Sequence, residues 1–554
     1  MVTKHMFPIR PWVLASSLAL VAPLGLAQSA AKPARSDSLS ATKSTPAEKV
    51  KLPVGARAIA AAARASVMPA EVAQPLTVMT TPSQSLGLQD VVGRLREVNR
   101  SILSKQAEAA ITATGIERAR AAFQPQLTAA AVRGNSRQKN TFEEELIRQN
   151  LGVYDRQGSD FSAGVSAVIP ATGAKVELKS SLSRFITNNN KEDPNRPPGA
   201  YDNRSAAALS VTQPLARDAG PEVTQAKLNM ARLDTVAAEH ASRDTEASVV
   251  AEAVLAYHEL VFAQQRVMSA EEKINTSTSL LAQAQALRRQ GRLAQTEVWE
   301  VENALARYRA ALSEAVQYQR ERSNRLRSML MLEPSAVLFR PVDALPEVTG
   351  FQLDGSEVLR TALSKRDDYL MRKAQVEREG IQLSYAKNQK LPRVDLVASY
   401  GVNGLEYSGR QAIEWSRARE YPSWSMGLQV SVPLGANKQA IADLQAAVLR
   451  REDALQSVQA METQIAADID TSMGLIASMS ERWKLWLEVA ERETAQLQAE
   501  QAKFAAGRSD TRELLLRQER VINARLSVLE QQVGFARAQT LLQAAQGVLM
   551  ERFP

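Results

Sequence analysis

The sequence predicts an α+β chain built of very long antiparallel helical hairpins joined to strands of bilayer-crossing length. Three observations predict it. Two helical segments approach ~70 residues, or ~100 Å at the rise of an α-helix, and no compact domain can wrap such rods. Between the helices lie runs of ~10 residues in which apolar and polar side chains alternate at period two. The same order of elements, helix, strands, long helix, turn, helix, occurs twice along the 554 residues. Aromatic residues make up only 5% of the chain against 45% hydrophobic residues, which suits thin rods better than one broad core.

The first element is an export segment. Residues 1–27 combine a basic start (Lys4, Arg10), an apolar stretch from Trp12 to Leu26 and a small-residue ending at Gly25-Leu26-Ala27, the pattern of a cleaved signal peptide. A membrane anchor is the competing reading, but the apolar stretch falls short of the ~20 residues a spanning helix needs. Residues 28–85, rich in Ala, Pro, Ser and Lys without a sustained apolar period, read as a flexible leader. The chain has no cysteine, so disulfides, thiolate metal sites and an acylated cysteine are all excluded. No later run of ~20 apolar residues occurs, which excludes ordinary transmembrane helices and leaves closed β-barrels as the route into a bilayer.

Helices are expected over 88–122, 220–287, 296–332, 356–390, 436–504 and 510–550. Val250, Val254, Tyr257, Val261 and Met268 recur at steps of four and three, with Gln264 in the missing place. Ile522, Leu526, Leu529, Val533 and Ala536 do the same. Such narrow stripes suit helices packed side by side in coiled-coil fashion. An isolated two-stranded coiled coil is the commoner use of the pattern, and the strands argue against it.

Val394, Leu396, Ala398, Tyr400 and Val402 alternate with mostly polar neighbours, as do Trp424, Met426, Leu428, Val430 and Val432. A soluble sheet can alternate in the same way. An export signal and the aromatic residues Tyr400, Tyr421 and Trp424 near the ends of the runs favour the membrane. The first half holds a further pair, Phe161 to Ile169 and Val176 to Leu182, separated by Pro170-Ala171-Thr172-Gly173. Residues 135–160 and 188–203 read as polar loops.

Prolines mark the strand borders in both halves: Pro125 and Pro392 stop the opening helices, and Pro214 and Pro433 lead into the long ones. At the far end Gly291-Arg292, Glu297, Arg309, Glu314 and Leu326 match Gly507-Arg508, Glu513, Arg525, Glu530 and Leu542 at a constant offset of 216 residues. Glycine there permits the positive φ of a tight helix reversal. The first repeat then spans 86–350, with strands within 126–213, and the second 351–554, with strands within 393–432.

This order, the proline borders and the Phe504-Ala505-Ala506-Gly507-Arg508-Ser509-Asp510 turn followed by Glu513-Leu514-Leu515 resemble the TolC-like outer-membrane efflux family over residues 86–550. The resemblance implies a homotrimer whose strands form one shared β-barrel in the outer membrane and whose helices form an α-barrel reaching through the periplasm. It implies an exit duct of a tripartite efflux or type I secretion system, with a periplasmic adaptor protein and, through it, an inner-membrane pump as partners. By position, Phe504, Ser509, Asp510 and Glu513 correspond to the periplasmic gate and its charge selectivity, and Gly291, Arg292, Gly507 and Arg508 to tips that meet the adaptor. Glu513 reads equally well as a first-turn acid favoured by the helix dipole. The sequence departs from the family's simplest pattern between Pro125 and Pro214, a separation of 89 residues against 41 between Pro392 and Pro433. The excess accommodates the extra strand pair, giving eighteen strands in a trimer rather than twelve, or else decorated loops.

Other functions find no chemistry to support them. Only His5, His240 and His258 occur, without a metal-ligand set around them, and neither a phosphate-binding loop nor a nucleophile elbow is present. No cofactor, metal site or enzymatic activity is expected. The formal charge of +8 is spread along helix surfaces and mixed with acids, which argues against nucleic-acid binding. The competing reading is a periplasmic coiled-coil adaptor or scaffold without a channel of its own, which predicts one hairpin and soluble β-domains rather than two sets of strands.

Overall fold

The computed structural model describes residues 83–553 apart from 149, 192–195, 198, 349–353 and 436. The export segment and all but the end of the leader lie outside the described residues. Ser83–Leu86 form strand β1, which pairs in parallel with β6 (Leu338–Pro341).

The opening helix expected over 88–122 is two helices, α1 (Leu88–Val98) and α2 (Arg100–Arg120). Asn99 breaks it: its backbone is extended, and its side chain accepts hydrogen bonds from the amides of Ser101 and Ile102 to start α2 afresh. Its counterpart expected over 356–390 is broken at the same place, after 11 residues, into α8 (Gly355–Lys365) and α9 (Asp367–Gln389). There Arg366 is extended and its guanidinium bonds Asp368 and Asp468. Neither break involves glycine or proline; Asn99 is a residue type favoured at helix starts, whereas Arg366 carries no such signal.

Six strands form one antiparallel sheet in the order β2 (Gln126–Lys139), β3 (Val153–Val168), β4 (Lys175–Thr187), β5 (Asp202–Pro214), β7 (Arg393–Glu406) and β8 (Pro422–Ser431). Four strands therefore come from the first half and two from the second. The expected polar loops shrink accordingly, because β2 runs on to Lys139 and β3 already begins at Val153. Beyond the apolar band both faces of these strands are polar, so the period-two signal disappears while the backbone ladder continues. Short helices occupy the remaining connections: α3 (Phe142–Ile147), α4 (Asn188–Lys191) and, between β7 and β8, α10 (Gly409–Ala418). All three lie at the end of the sheet away from the long helices.

After the turn α5 (Pro221–Thr224) come the rods α6 (Ala226–Arg289) and α7 (Gln295–Met329), and after β8 the rods α11 (Lys438–Ala505) and α12 (Thr511–Ala545). The 64 residues of α6 contain no glycine or proline, and the 68 of α11 only Gly474, which is why both run unbroken. The stripe on α6 is buried at Val250, Val254, Tyr257 and Val261, while Met268 is half exposed. Around it Leu95, Ile102, Leu326, Phe339 and Phe553 complete one core. A second core joins α8, α9, α11 and α12 through Ile465, Ile469, Phe535 and Leu542. A third, at the far tip, joins the two hairpins through Leu280, Val298, Val301, Leu514 and Leu515.

Candidate functional site

Strand register sorts the sheet into two chemically distinct faces. Leu127, Val165, Leu178, Leu209, Tyr400 and Trp424 are successive partners across all six strands and so share one face. All six are exposed, Trp424 by 77%. One residue along, Gln126, Ser166, Glu177, Ser210, Ser399 and Ser425 form a complete row on the opposite face, where the hydroxyls of Ser399 and Ser425 meet at 2.8 Å. Lys179 also lies on that polar face. An exposed apolar face on a sheet of this width cannot remain in water, and a lipid-facing wall with a wet lining has this two-sided chemistry.

The strand-to-helix borders are held by side chains. Asn388 accepts from the Asp218 amide at 2.8 Å and donates to the Ala216 carbonyl at 3.2 Å, while Gln389 donates to the Asp218 carboxylate at 2.6 Å. Pro214 ends β5, Pro392 immediately precedes β7, and Pro125 and Pro433 stand just outside β2 and β8. The amides of Leu215 and Arg217 still bond the carbonyls of Val394 and Pro392, so the pairing outlasts the prolines. These asparagine and glutamine clamps have no sequence signal of their own.

At the other end, both rods close with the same turn. Gly291 and Gly507 each have φ of +69°. Arg292 N–H donates to the Leu287 carbonyl and Gly291 N–H to Arg288; Arg508 and Gly507 repeat this onto Lys503 and Phe504. This is a Schellman closure with glycine in the left-handed position. Arg292 and Arg508 project into solvent beyond it.

The gate candidates converge at this tip in different environments. Phe504 packs against the tip core. Asp510 caps α12 by accepting from the Glu513 amide at 2.7 Å, and Glu513 is ion-paired to Arg517 at 2.8 Å. Asp510 and Glu513 share a groove of ≈ 770 Å³ between α7 and α12 with Glu300, Glu519, Arg307 and Arg512. Buried Tyr308 lines this groove, and its phenol is pushed up to about 12 by burial and by Glu519. Two residues absent from the sequence reading belong here as well. Glu500 is buried, and the Ser509 hydroxyl, with Lys503, holds its carboxyl below the usual range. Thr511, fully buried, donates to Glu297 at 3.1 Å and ties the second hairpin to the first.

His240 bonds Asp367 at 2.7 Å beside Arg243, whereas His258 is buried with its Nδ1 unbonded. Burial, followed by the charges of Arg552 and Arg537, lowers the His258 pKa to about 4. Among the described residues no cluster of His, Asp and Glu is placed to hold a metal, and no helix is long and apolar enough to cross a membrane.

No protein-family model matches the chain. It is 22% identical over 377 residues to the proteases secretion protein PrtF of Dickeya chrysanthemi, covering 67% of this chain and 76% of that protein. The structure of the outer-membrane channel OprN superposes with a TM-score of 0.58 at 17% identity, covering 83% of this chain and 89% of that one. The outer membrane protein VceC of Vibrio cholerae superposes with a TM-score of 0.55 at 13% identity, covering 83% and 96%. The resemblance read from the sequence therefore holds in three dimensions: this chain has the fold of the TolC-like outer-membrane channels.

Proposed function

We propose that the chain is the outer-membrane exit duct of a tripartite efflux or type I secretion system, passing substrates from a periplasmic adaptor and inner-membrane pump to the exterior. The two-faced sheet carries this reading. Its outermost strands, β2 and β8, have no partner on their outer edges within the described residues, and an open edge is not tolerated in hydrocarbon. Six strands from each of three copies, β2 of one against β8 of the next, would close an eighteen-stranded barrel with the apolar rows toward lipid and the serine rows toward water. The helical hairpins would continue the passage as a trimeric α-barrel. Phe504, Ser509, Asp510 and Glu513 would sit near its closed end, and Gly291, Arg292, Gly507 and Arg508 would face the adaptor. The sequence offers no nucleotide-binding loop, so the energy would come from the pump.

Membrane fractionation followed by electrophoresis with and without heating tests the reading. Outer-membrane material that runs as a trimer and collapses to a monomer on boiling is expected. A monomeric protein soluble in the periplasm without detergent would overturn it.

A further inference from the structure

The apolar face changes character at one level of the sheet. Along β2 the residues of this face run Leu127, Ala129, Ala131, then Arg133; along β4 they run Leu178, Ser180, Leu182, then Arg184. Arg133 and Arg184 line one polar pocket together with Tyr201, on whose ring Arg184 stacks at 4.5 Å. Two rows nearer the long helices, past Ala131, Phe161 and Leu182, the small residues Ala129, Ala163, Ser180 and Ala207 floor a groove of ≈ 920 Å³. Arg417 and Arg419 line the same groove.

Those two arginines arrive there because α10 is bolted onto the apolar face. Ser205 Oγ donates to the Ala412 carbonyl at 2.5 Å and also meets Ser416. Gly404 gives the helix room, since a Cβ at that position would lie 2.3 Å from the Ala412 carbonyl oxygen. The helix ends at Arg419 with φ of +57°, a conformation natural to glycine and strained for arginine. Of the nearby carboxylates, Glu414 meets Arg410 at 3.2 Å, Glu406 the Trp415 indole at 3.2 Å and Asp155 Arg137 at 3.8 Å, while Asp160 shares the opposite face with Val132 and Ser183. Glu420 next to Arg419 is exposed. Among the described residues, Arg133, Arg184, Arg417 and Arg419 have no ion-pair partner.

We propose that this belt binds a phosphorylated glycolipid of the outer leaflet, resting on the barrel reading above. Two uncompensated guanidiniums, Arg133 and Arg184, stand where the apolar band ends, two more, Arg417 and Arg419, line the groove just below it, and guanidinium is the side chain best matched to phosphate. The small-residue groove directly below takes one acyl chain. Trp415, Tyr407 and Tyr421, all exposed around α10, supply the interfacial aromatic contacts.

Native mass spectrometry of the full chain in detergent tests it, with lipid A, dephosphorylated lipid A, phosphatidylethanolamine and inorganic phosphate as probes. Lipid A is expected to bind at least about tenfold more tightly than its dephosphorylated form. Arg417→Gln/Arg419→Gln should abolish that preference, and Arg417→Lys/Arg419→Lys should keep part of it, with an unchanged circular dichroism spectrum in each variant. Equal binding of the two lipid A forms, retention of the preference in the double glutamine variant, or equally tight binding of inorganic phosphate would overturn the proposal while leaving the channel reading intact. A protein that needs no detergent to remain soluble would overturn both.

Discussion

Single residues decide how the rods end and how they respond to acid. Gly291 and Gly507 have open space where a Cβ would sit, so only the positive φ resists substitution. Gly507→Ala is therefore expected to cost about 1 kcal/mol, read as a lower melting temperature with no change in helix content. His258 makes the opposite kind of prediction. Its folded pKa of about 4 lies below the ordinary 6.5, so as the pH falls the unfolded chain takes up a proton before the folded one does. The contribution to stability is full above about pH 6.5 and drains away as the pH falls through 4. Melting temperatures measured at pH 7 and pH 4.5 should differ less in His258→Leu than in the parent. An equal difference in both proteins would remove His258 from the acid response.

At the scale of the element, the sheet offers an internal control. Leu209 and Ser210 are neighbours on β5 that point to opposite faces. Leu209→Arg puts a charge in the apolar row, where midplane arginine costs about 2–4 kcal/mol in a membrane barrel, and should deplete assembled protein in the outer membrane. Ser210→Arg, on the wet face, should assemble normally. Reversal of the two results would mean that the faces are assigned the wrong way round. The sequence made these strands legible wherever one side was apolar, and lost them over 135–160, where both sides are mostly polar. It also missed α10, a ten-residue helix whose docking depends on nearby Gly404 and on Ser205, the latter 207 residues before its partner Ala412. No local pattern encodes so distant a partner.

For the whole molecule, the helical tip that the proposed duct would close carries the testable electrostatics. Within one chain Glu513 is balanced by Arg517 and lies among both acids and arginines, so removing it frees Arg517 and takes one negative charge from the groove, a change that threefold symmetry would repeat around the axis. Single-channel recordings of Glu513→Gln in planar bilayers should show weaker cation preference than the parent. An unchanged reversal potential in asymmetric salt would reduce Glu513 to the first turn of its helix. The reversals themselves were legible because glycine at a helix end has one physical use. Glu500 and Thr511, neighbours of the gate candidates, were not, since their contacts come from an adjacent turn and from the other hairpin.

By itself the sequence determined the rods, their glycine closures, the proline borders and the alternation that makes one side of each strand apolar, because all of these are local properties of spacing and backbone freedom. The tertiary structure alone decided that six strands join one sheet, that the second opening helix breaks at Arg366, that the hairpins are tied through Thr511 and Glu297, and that α10 carries its arginines onto the apolar face. Each depends on hydrogen bonds or close packing between residues far apart in the chain, and their energies exist only once the partners have been brought together.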